Sequence, residues 1–153
     1  MPKHRYVWWA YAVEVLAAGA VLTALCLWFE PKAVATFVRD IAMDVATLFG
    51  AVMFAAALGF LWTFYSKADT KFYRWLDARG AFRVYLHATA YSVVISLLST
   101  MSLVFMKRIS NDHFALLGTF LLALAAINLI TLIQNVIDLM LLNAKFNHLN
   151  SDK

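Results

Sequence analysis

Charged residues are scarce in this chain. They make up 14% of its 153 residues, against about 25% in soluble domains, while 63% of the residues are hydrophobic. That excess of apolar residues is too large for an ordinary globular core. Cysteine is rarer still: Cys26 stands alone, which excludes an internal disulfide and predicts a buried, inert thiol. Internal repeats and low-complexity tracts are missing as well.

The stretches with almost no charged residues are long. Four of them, at about 6–29, 41–65, 84–106 and 114–143, reach the roughly 20 apolar residues that a transmembrane helix needs. The first is too long for the apolar region of a signal peptide, and Leu25 before Cys26 argues against a lipoprotein site, so we interpret it as retained. The sequence therefore predicts one all-α domain over 1–153, a polytopic membrane protein with four transmembrane helices.

The basic residues predict an orientation for these helices. Nine of the thirteen Lys and Arg fall in the two tails and in the central loop, residues 66–83, and four fall on the opposite side. The positive-inside rule then places both termini and the loop in the cytoplasm. We expect a multi-pass membrane protein. The net charge of +4 follows from this asymmetry and does not indicate direct binding of nucleic acid.

The central loop 66–83 has an amphipathic pattern. Phe72, Trp75 and Leu76 recur at helical spacing, and Gly80 offers a stop before the third span. The pattern predicts a short amphipathic helix in the membrane interface, with its aromatic residues at headgroup level and its basic residues toward anionic lipid. The candidates for docking lipid or a cytoplasmic partner protein are Lys71, Arg74, Trp75 and Arg79.

Small residues recur along the second and third spans. The series are Ala46 and Gly50, then Ala51, Ala55 and Gly59, and in the third span Ala88, Ser92, Ser96, Ser99 and Ser102. Small residues let transmembrane helices approach closely, so we predict tight packing inside a bundle. The serines lack the Gly-x-Ser-x-Gly motif of a nucleophile elbow. No catalytic residue is predicted, and the protein is interpreted as non-enzymatic.

Three ionisable residues are predicted to lie within the cytoplasmic half of the spans. Glu14, His87 and Asp138 belong to spans one, three and four. A charge at mid-span costs about 2.5–3.5 kcal/mol, so each should have a partner or face water. We predict that the three meet, with Arg83 or Lys145 as counter-charge. A polar contact that fixes helix register or an oligomer interface, a proton or ion path, and a mechanical or lipid-sensing switch are the alternatives.

Polar residues also form a seam along span four. Its members, Asn128, Thr131, Asn135 and Asp138, are spaced by 3, 4 and 3 residues, which puts them on one helix face. Since lipid-facing positions are not polar, the seam should face protein or water, inside the bundle or between subunits. Near the outer end of span two, Asp44 is predicted to complete an N-terminal helix turn close to Arg39. No pattern predicts a metal site, a haem or another cofactor.

One resemblance adds to these predictions. Residues 48–105, from "LFGAVMF" to "SLVF", contain spans two and three, the basic-aromatic loop and its "ARGAF" turn. This region resembles small four-span proteins of bacterial anti-phage loci, including the membrane component of Kiwa-type systems. The resemblance implies an oligomer at the inner membrane beside a cytoplasmic effector, and it assigns no functional residues.

The sequence thus favours a non-enzymatic, oligomeric inner-membrane protein that senses or disrupts the membrane together with a cytoplasmic partner, in anti-phage defence. The alternatives are an oligomeric ion or proton channel, in which the seam of span four faces water, and an immunity protein against a pore-forming toxin. The expected partners are the lipid bilayer, further copies of the chain and a cytoplasmic protein that binds the loop 66–83.

Overall fold

The described part of the chain is helical throughout. The computed structural model describes the backbone of residues 4–151 and the side chains of residues 9–149. Its helices are α1 (His4–Phe29), α2 (Pro31–Val45), α3 (Ala51–Lys67), α4 (Lys71–Ala78), α5 (Ala81–Met106) and α6 (Asp112–Ser151). A π-helical turn, Ala46–Gly50, joins α2 to α3 without a break. The predicted all-α class is confirmed.

Four helical segments are long and apolar enough to cross a membrane. They are Trp9–Phe29, Pro31–Lys67, Ala81–Met106 and Asp112–Leu149. The length and composition of these segments therefore support the predicted multi-pass membrane architecture. The second segment begins at Pro31 instead of near residue 41, since proline suits the first position of a helix, where its missing N–H is not needed. The fourth runs past residue 143, and α6 is helical up to Ser151.

A single residue separates α1 from α2. Glu30 has φ 54° and ψ 138°, and the amide of Val34 donates to its carbonyl oxygen at 3.2 Å. The extended ψ is what a residue before proline adopts, while the positive φ is uncommon for a side chain other than glycine. This backbone strain at Glu30 lets the chain change direction between two helices within one residue.

The early start of α2 corrects the prediction for Asp44. Asp44 lies near the end of α2, not in its first turn, and its side chain is exposed. Arg39 pairs instead with Asp112 at the start of α6, with 3.1 Å between Nη2 and Oδ1. Asn111 caps the same helix, because its Oδ1 accepts from the amide of His113 at 2.9 Å. The ion pair therefore joins α2 to α6 at one end of the bundle.

The two helices α5 and α6 form the centre of the bundle. α1 and α2 pack mainly against α6, and α3 packs mainly against α5. Three apolar clusters follow one another along the bundle, with representative members Val38, Leu103 and Met106 at one end, Ala18, Ile95 and Ala125 in the middle, and Phe64, Phe72 and Leu76 at the other end. The first two clusters are rich in alanine, as expected where helices in lipid come close, whereas the third is mainly aromatic.

Only part of the predicted small-residue pattern is used for packing. Ala46 and Gly50 are buried, and a Cβ added at Gly50 would collide with the side chain of Thr100 on α5. Ala55 and Gly59 are exposed, so that part of the pattern faces away from the bundle. On α5, hydroxyls donate to carbonyl oxygens of their own helix at 2.7–3.1 Å, as seen for Ser92, Ser96 and Ser102.

The loop 66–83 contains α4, whose aromatic face packs on the bundle, and its position in the membrane interface stays a prediction. Phe72, Tyr73 and Leu76 are buried. Phe146, on the extension of α6, contacts both Phe72 and Trp75, with ring centroids 5.6 and 5.2 Å apart. The extended α6 supplies an apolar surface that the sequence pattern did not reveal. Burial in this cluster raises the pKa of the Tyr73 phenol.

Candidate functional site

A polar cavity of about 530 Å³ lies between α1, α5 and α6, beside the turn that joins α4 to α5. Its wall on α6 consists of Asn128, Thr131, Leu132, Gln134, Asn135 and Asp138. All four members of the predicted seam therefore face one cavity inside a single chain. The spacing of 3 and 4 residues on an α-helix is what holds them on one side.

Glu14 of α1 is the buried acid of this cavity, with 6% of its surface exposed. Its Oε1 accepts a hydrogen bond from the hydroxyl of Thr131 at 2.6 Å, and its Oε2 accepts from Nδ2 of Asn128 at 3.1 Å. Both donors are neutral. No ion pair holds Glu14 among the side chains of residues 9–149. Its carboxyl group is thus stabilised by dipoles alone.

The hydroxyl of Thr131 has three acceptors within reach, namely Glu14 and two carbonyl oxygens of its own helix. Besides Glu14, the backbone carbonyl oxygen of Asn128 lies 2.9 Å from its oxygen. A hydroxyl carries one proton and accepts with its lone pairs, so Thr131 donates to a charged Glu14 or, alternatively, donates to the carbonyl and accepts from a protonated Glu14. The same atomic positions satisfy both states of the carboxyl group.

Two buried polar atoms in the cavity wall lack a hydrogen-bond partner within the described residues. They are the phenol oxygen of Tyr11 and Oδ1 of Asn128. The ring of Tyr11 packs on that of Tyr91, with centroids 4.3 Å apart. An unsatisfied buried polar group costs about 1–3 kcal/mol, and such groups are found where a site accepts water, an ion or a ligand. Both atoms belong to residues that line the Glu14 cavity.

His87 does not join this site, which corrects the prediction that Glu14, His87 and Asp138 meet. Its side chain is exposed and is absent from the cavity wall. On α5 the wall includes Tyr85 and Ala88, and at about 100° per residue His87 points roughly a third of a turn away from that face. Glu14, His87 and Asp138 lie toward the same end of the bundle, but the rotation of α5 about its axis turns His87 away from the cavity.

Asp138 lines the cavity without contacting Glu14. It is exposed, and it lies seven residues beyond Thr131, which is about 10 Å along α6. The proposed counter-charges Arg83 and Lys145 are exposed and outside the cavity wall. Arg79 is the basic residue of the wall, but its guanidinium lies 3.9 Å from the ring centroid of Trp75. The inner end of the cavity therefore contains the acid Glu14 and no basic side chain, whereas its rim contains Asp138 and Arg79.

The docking residues predicted on the loop have different environments. Lys71, Arg74 and Arg79 are exposed, whereas Trp75 is half-buried between the ring of Phe146 and the Arg79 guanidinium. Trp75 thus belongs to the packing of α4. The three basic residues remain available to a lipid or a partner.

No protein-family model, curated protein or solved structure matches this chain. The likeness to the membrane component of Kiwa-type systems therefore stays a prediction. Within residues 9–149, no three side chains of His, Cys, Asp or Glu lie close enough to hold a metal ion together.

The cavity ends at Glu14. One helical turn farther along α1 and α6, Ala18 and Ala125 belong to the apolar cluster in the middle of the bundle, together with Ile95 of α5. This apolar cluster therefore lies beyond Glu14 along the bundle. Sequence reasoning missed Tyr11 as a wall residue, although its spacing of three from Glu14 puts both on one face of α1.

Proposed function

We propose that this chain is a non-enzymatic membrane protein that takes up a proton at Glu14 from one side of the membrane. The observation that carries the proposal is the environment of Glu14: a carboxyl group with 6% of its surface exposed, held by two neutral donors at the end of a polar cavity. Ionisable groups inside membrane spans are costly and rare, and they commonly mark ion paths or proton relays.

Two hydrogen bonds offset the cost of burying Glu14. A carboxylate at mid-span costs about 2.5–3.5 kcal/mol on insertion scales, and hydrogen bonds to a charged group each contribute about 1.5–3 kcal/mol. The two bonds to Glu14 are therefore of the size needed to hold a buried carboxylate. Because Thr131 can donate to the carboxylate or to a carbonyl of its own helix, we infer that Glu14 takes up a proton without movement of a helix.

The cavity lies on the basic side of the protein. Arg79 is in its wall, and Lys71, Arg74 and Arg83 are exposed nearby in the chain. The positive-inside rule assigns this side to the cytoplasm. The proton would therefore enter from the cytoplasm, past Asp138 at the rim, and stop at Glu14 against the apolar middle of the bundle.

Infrared difference spectroscopy tests the protonation of Glu14 directly. Purified full-length protein in lipid is titrated with acid, and we expect a carboxylic acid C=O band that disappears in Glu14→Gln and shifts in Thr131→Val. Asp138→Asn is the matched control, since Asp138 lines the same cavity without contacting Glu14, and it should keep the band. A spectrum of Glu14→Gln identical to that of the wild type would contradict the proposal.

A small organic cation is the second candidate ligand, because a cavity of about 530 Å³ has room for more than a proton and contains two acids. The same spectra at constant pH distinguish the two. If methylammonium or tetramethylammonium binds at Glu14, its addition removes the acid band and releases a proton. If neither cation changes the band, only the proton is bound.

At the level of the whole cell, we propose the role that the sequence favours: an oligomeric inner-membrane sensor or effector that acts with a cytoplasmic partner against phage. The exposed basic residues Lys71 and Arg74 offer the contact surface for that partner. Cells that express the chain with its genomic neighbours should lower phage plating efficiency, and Arg74→Glu should restore it. Protection against a pore-forming toxin without any effect on phage would favour the immunity alternative.

A further inference from the structure

A second site lies in a crevice between the last turns of α3 and the distal part of α6, with α4 alongside. Two cavities meet there, of about 640 and 260 Å³, and they share four wall residues, Lys67, Phe72, Tyr73 and Asn143. The crevice exists because α3 packs on α5 and makes little contact with α6. It is separate from the Glu14 cavity, which lies between α1, α5 and α6.

The larger cavity suits an anionic group. Its wall includes Lys67 and Lys71, with the amides of Asn143 and Asn147, and it contains no acidic residue. Neither lysine forms an ion pair within the part of the chain whose side chains are described. Two ammonium groups four residues apart, with neutral amide donors opposite, match a phosphate that is held by point charges and hydrogen bonds.

The smaller cavity suits an acyl chain. It continues from the larger one along α3 and α6, and its wall includes Phe60, Phe64, Val136, Leu139 and Met140. The hydroxyl of Thr63 in this wall donates to the Gly59 carbonyl of its own helix at 2.9 Å, so it requires no partner in the groove. A narrow apolar groove between two helices in a membrane fills most favourably with lipid.

The position of the two cavities matches a lipid that lies at the membrane boundary. Lys67 is the last residue of the apolar segment Pro31–Lys67, and the groove leads from it toward residues inside that segment. The polar cavity therefore lies at headgroup depth, on the side where the basic residues attract anionic lipid.

We propose that this crevice binds one anionic phospholipid, with its phosphate between Lys67 and Lys71 and one acyl chain in the groove between α3 and α6. The lipid fills the gap that α3 leaves beside α6 and ties α4 to the membrane. This site is independent of proton uptake at Glu14, and Glu14→Gln should bind the lipid as the wild type does.

Native mass spectrometry of the full-length protein in detergent tests the headgroup site. Palmitoyl-oleoyl phosphatidylglycerol is compared with the phosphatidylcholine of the same chains. The wild type should retain the anionic lipid preferentially, and Lys67→Gln/Lys71→Gln should weaken that binding roughly thirtyfold, since each basic residue near an anionic surface strengthens binding roughly fivefold. The control Arg83→Gln/Lys145→Gln removes the same charge from exposed positions outside both cavities and should leave the preference intact.

A second pair of variants tests the groove. Val136→Trp fills it and should reduce lipid retention, whereas Ile137→Trp, on the exposed face of α6, should not. The proposal is overturned if the lysine variant keeps the preference, if the control variant loses it equally, or if both tryptophan variants behave alike. Displacement of the lipid by an equal concentration of inorganic phosphate would identify a site for a soluble anion instead, and would also overturn it.

Discussion

At the scale of single residues, the contact between Thr131 and Glu14 is the most specific polar interaction in the bundle. A hydrogen bond to a charged group contributes about 1.5–3 kcal/mol, and its loss leaves a buried acceptor unpaired. We expect Thr131→Val to lower the free energy of unfolding by about that amount, since valine keeps the shape and removes the donor. Thr131→Ser keeps the hydroxyl and should be close to wild type. Denaturant unfolding in detergent checks both, and equal stability of all three proteins would show that the contact is unimportant.

Gly50 is a glycine whose missing side chain allows a close contact between helices. A Cβ there would collide with Thr100 on α5, whereas a Cβ at Gly59 meets nothing within 4 Å. Gly50→Ala should therefore destabilise the bundle by about 1–3 kcal/mol, the usual effect of overpacking. Gly59→Ala should be neutral or slightly stabilising, because alanine is the better helix former. Thermal unfolding measures both, and Gly50→Ala/Thr100→Ala should recover part of the loss.

At the scale of secondary-structure elements, α4 depends on the extension of α6. Phe146 contacts Phe72 and Trp75, and without it the aromatic face of α4 loses its cover. Phe146→Ala should cost about 1–3 kcal/mol, less than the 3–5 kcal/mol for a fully buried Phe, because Phe146 is only half-buried. Hydrogen exchange in α4 should accelerate. Leu149→Ala, at an exposed position of the same helix, is the control and should leave α4 protected.

The packing of α4 also has a predicted pH dependence. Burial raises the pKa of Tyr73 above its ordinary value of 10.0. A group whose pKa is higher in the folded state gives its full stabilisation below the unfolded value, and this stabilisation is lost as the pH rises through the folded value. Exchange protection of α4 should therefore fall above about pH 10. Tyr73→Phe should remove this dependence, and Tyr65→Phe, at an exposed position, should keep it.

At the scale of the whole molecule, the orientation in the membrane is open to a direct test. Ser66 and Ser110 are exposed at opposite ends of the bundle, and Cys26 is the only cysteine to remove. In a Cys26→Ser background, the positive-inside rule predicts that Ser110→Cys reacts with an impermeant thiol reagent in intact spheroplasts. Ser66→Cys should react only after permeabilisation. The reverse pattern would invert the topology and move the Glu14 cavity to the outer face.

Helix existence was readable from the chain, but helix ends were not. Apolar length predicted four spans, and the seam of Asn128 to Asp138 followed from spacing alone. No apolar run marks the start of α2 at Pro31. The charged residues Lys32 and Arg39 suggested a loop there, although both lie on the helix. Past Asn143, the residues are mostly polar, and their pattern did not indicate the contact that Phe146 makes with α4. Local composition indicates whether a segment faces lipid or water, but it does not show whether the backbone of that segment is helical.

The sequence by itself determined that the chain is helical, that it carries four membrane-length segments, and that Glu14 and the polar seam need a protein environment. Those properties follow from hydropathy and helical periodicity, which are local. Only the tertiary structure decided that Glu14 contacts Asn128 and Thr131, that His87 points away, and that α3 leaves a crevice beside α6. Such facts depend on the rotation of each helix about its axis and on which helices touch. No local pattern specifies either of these.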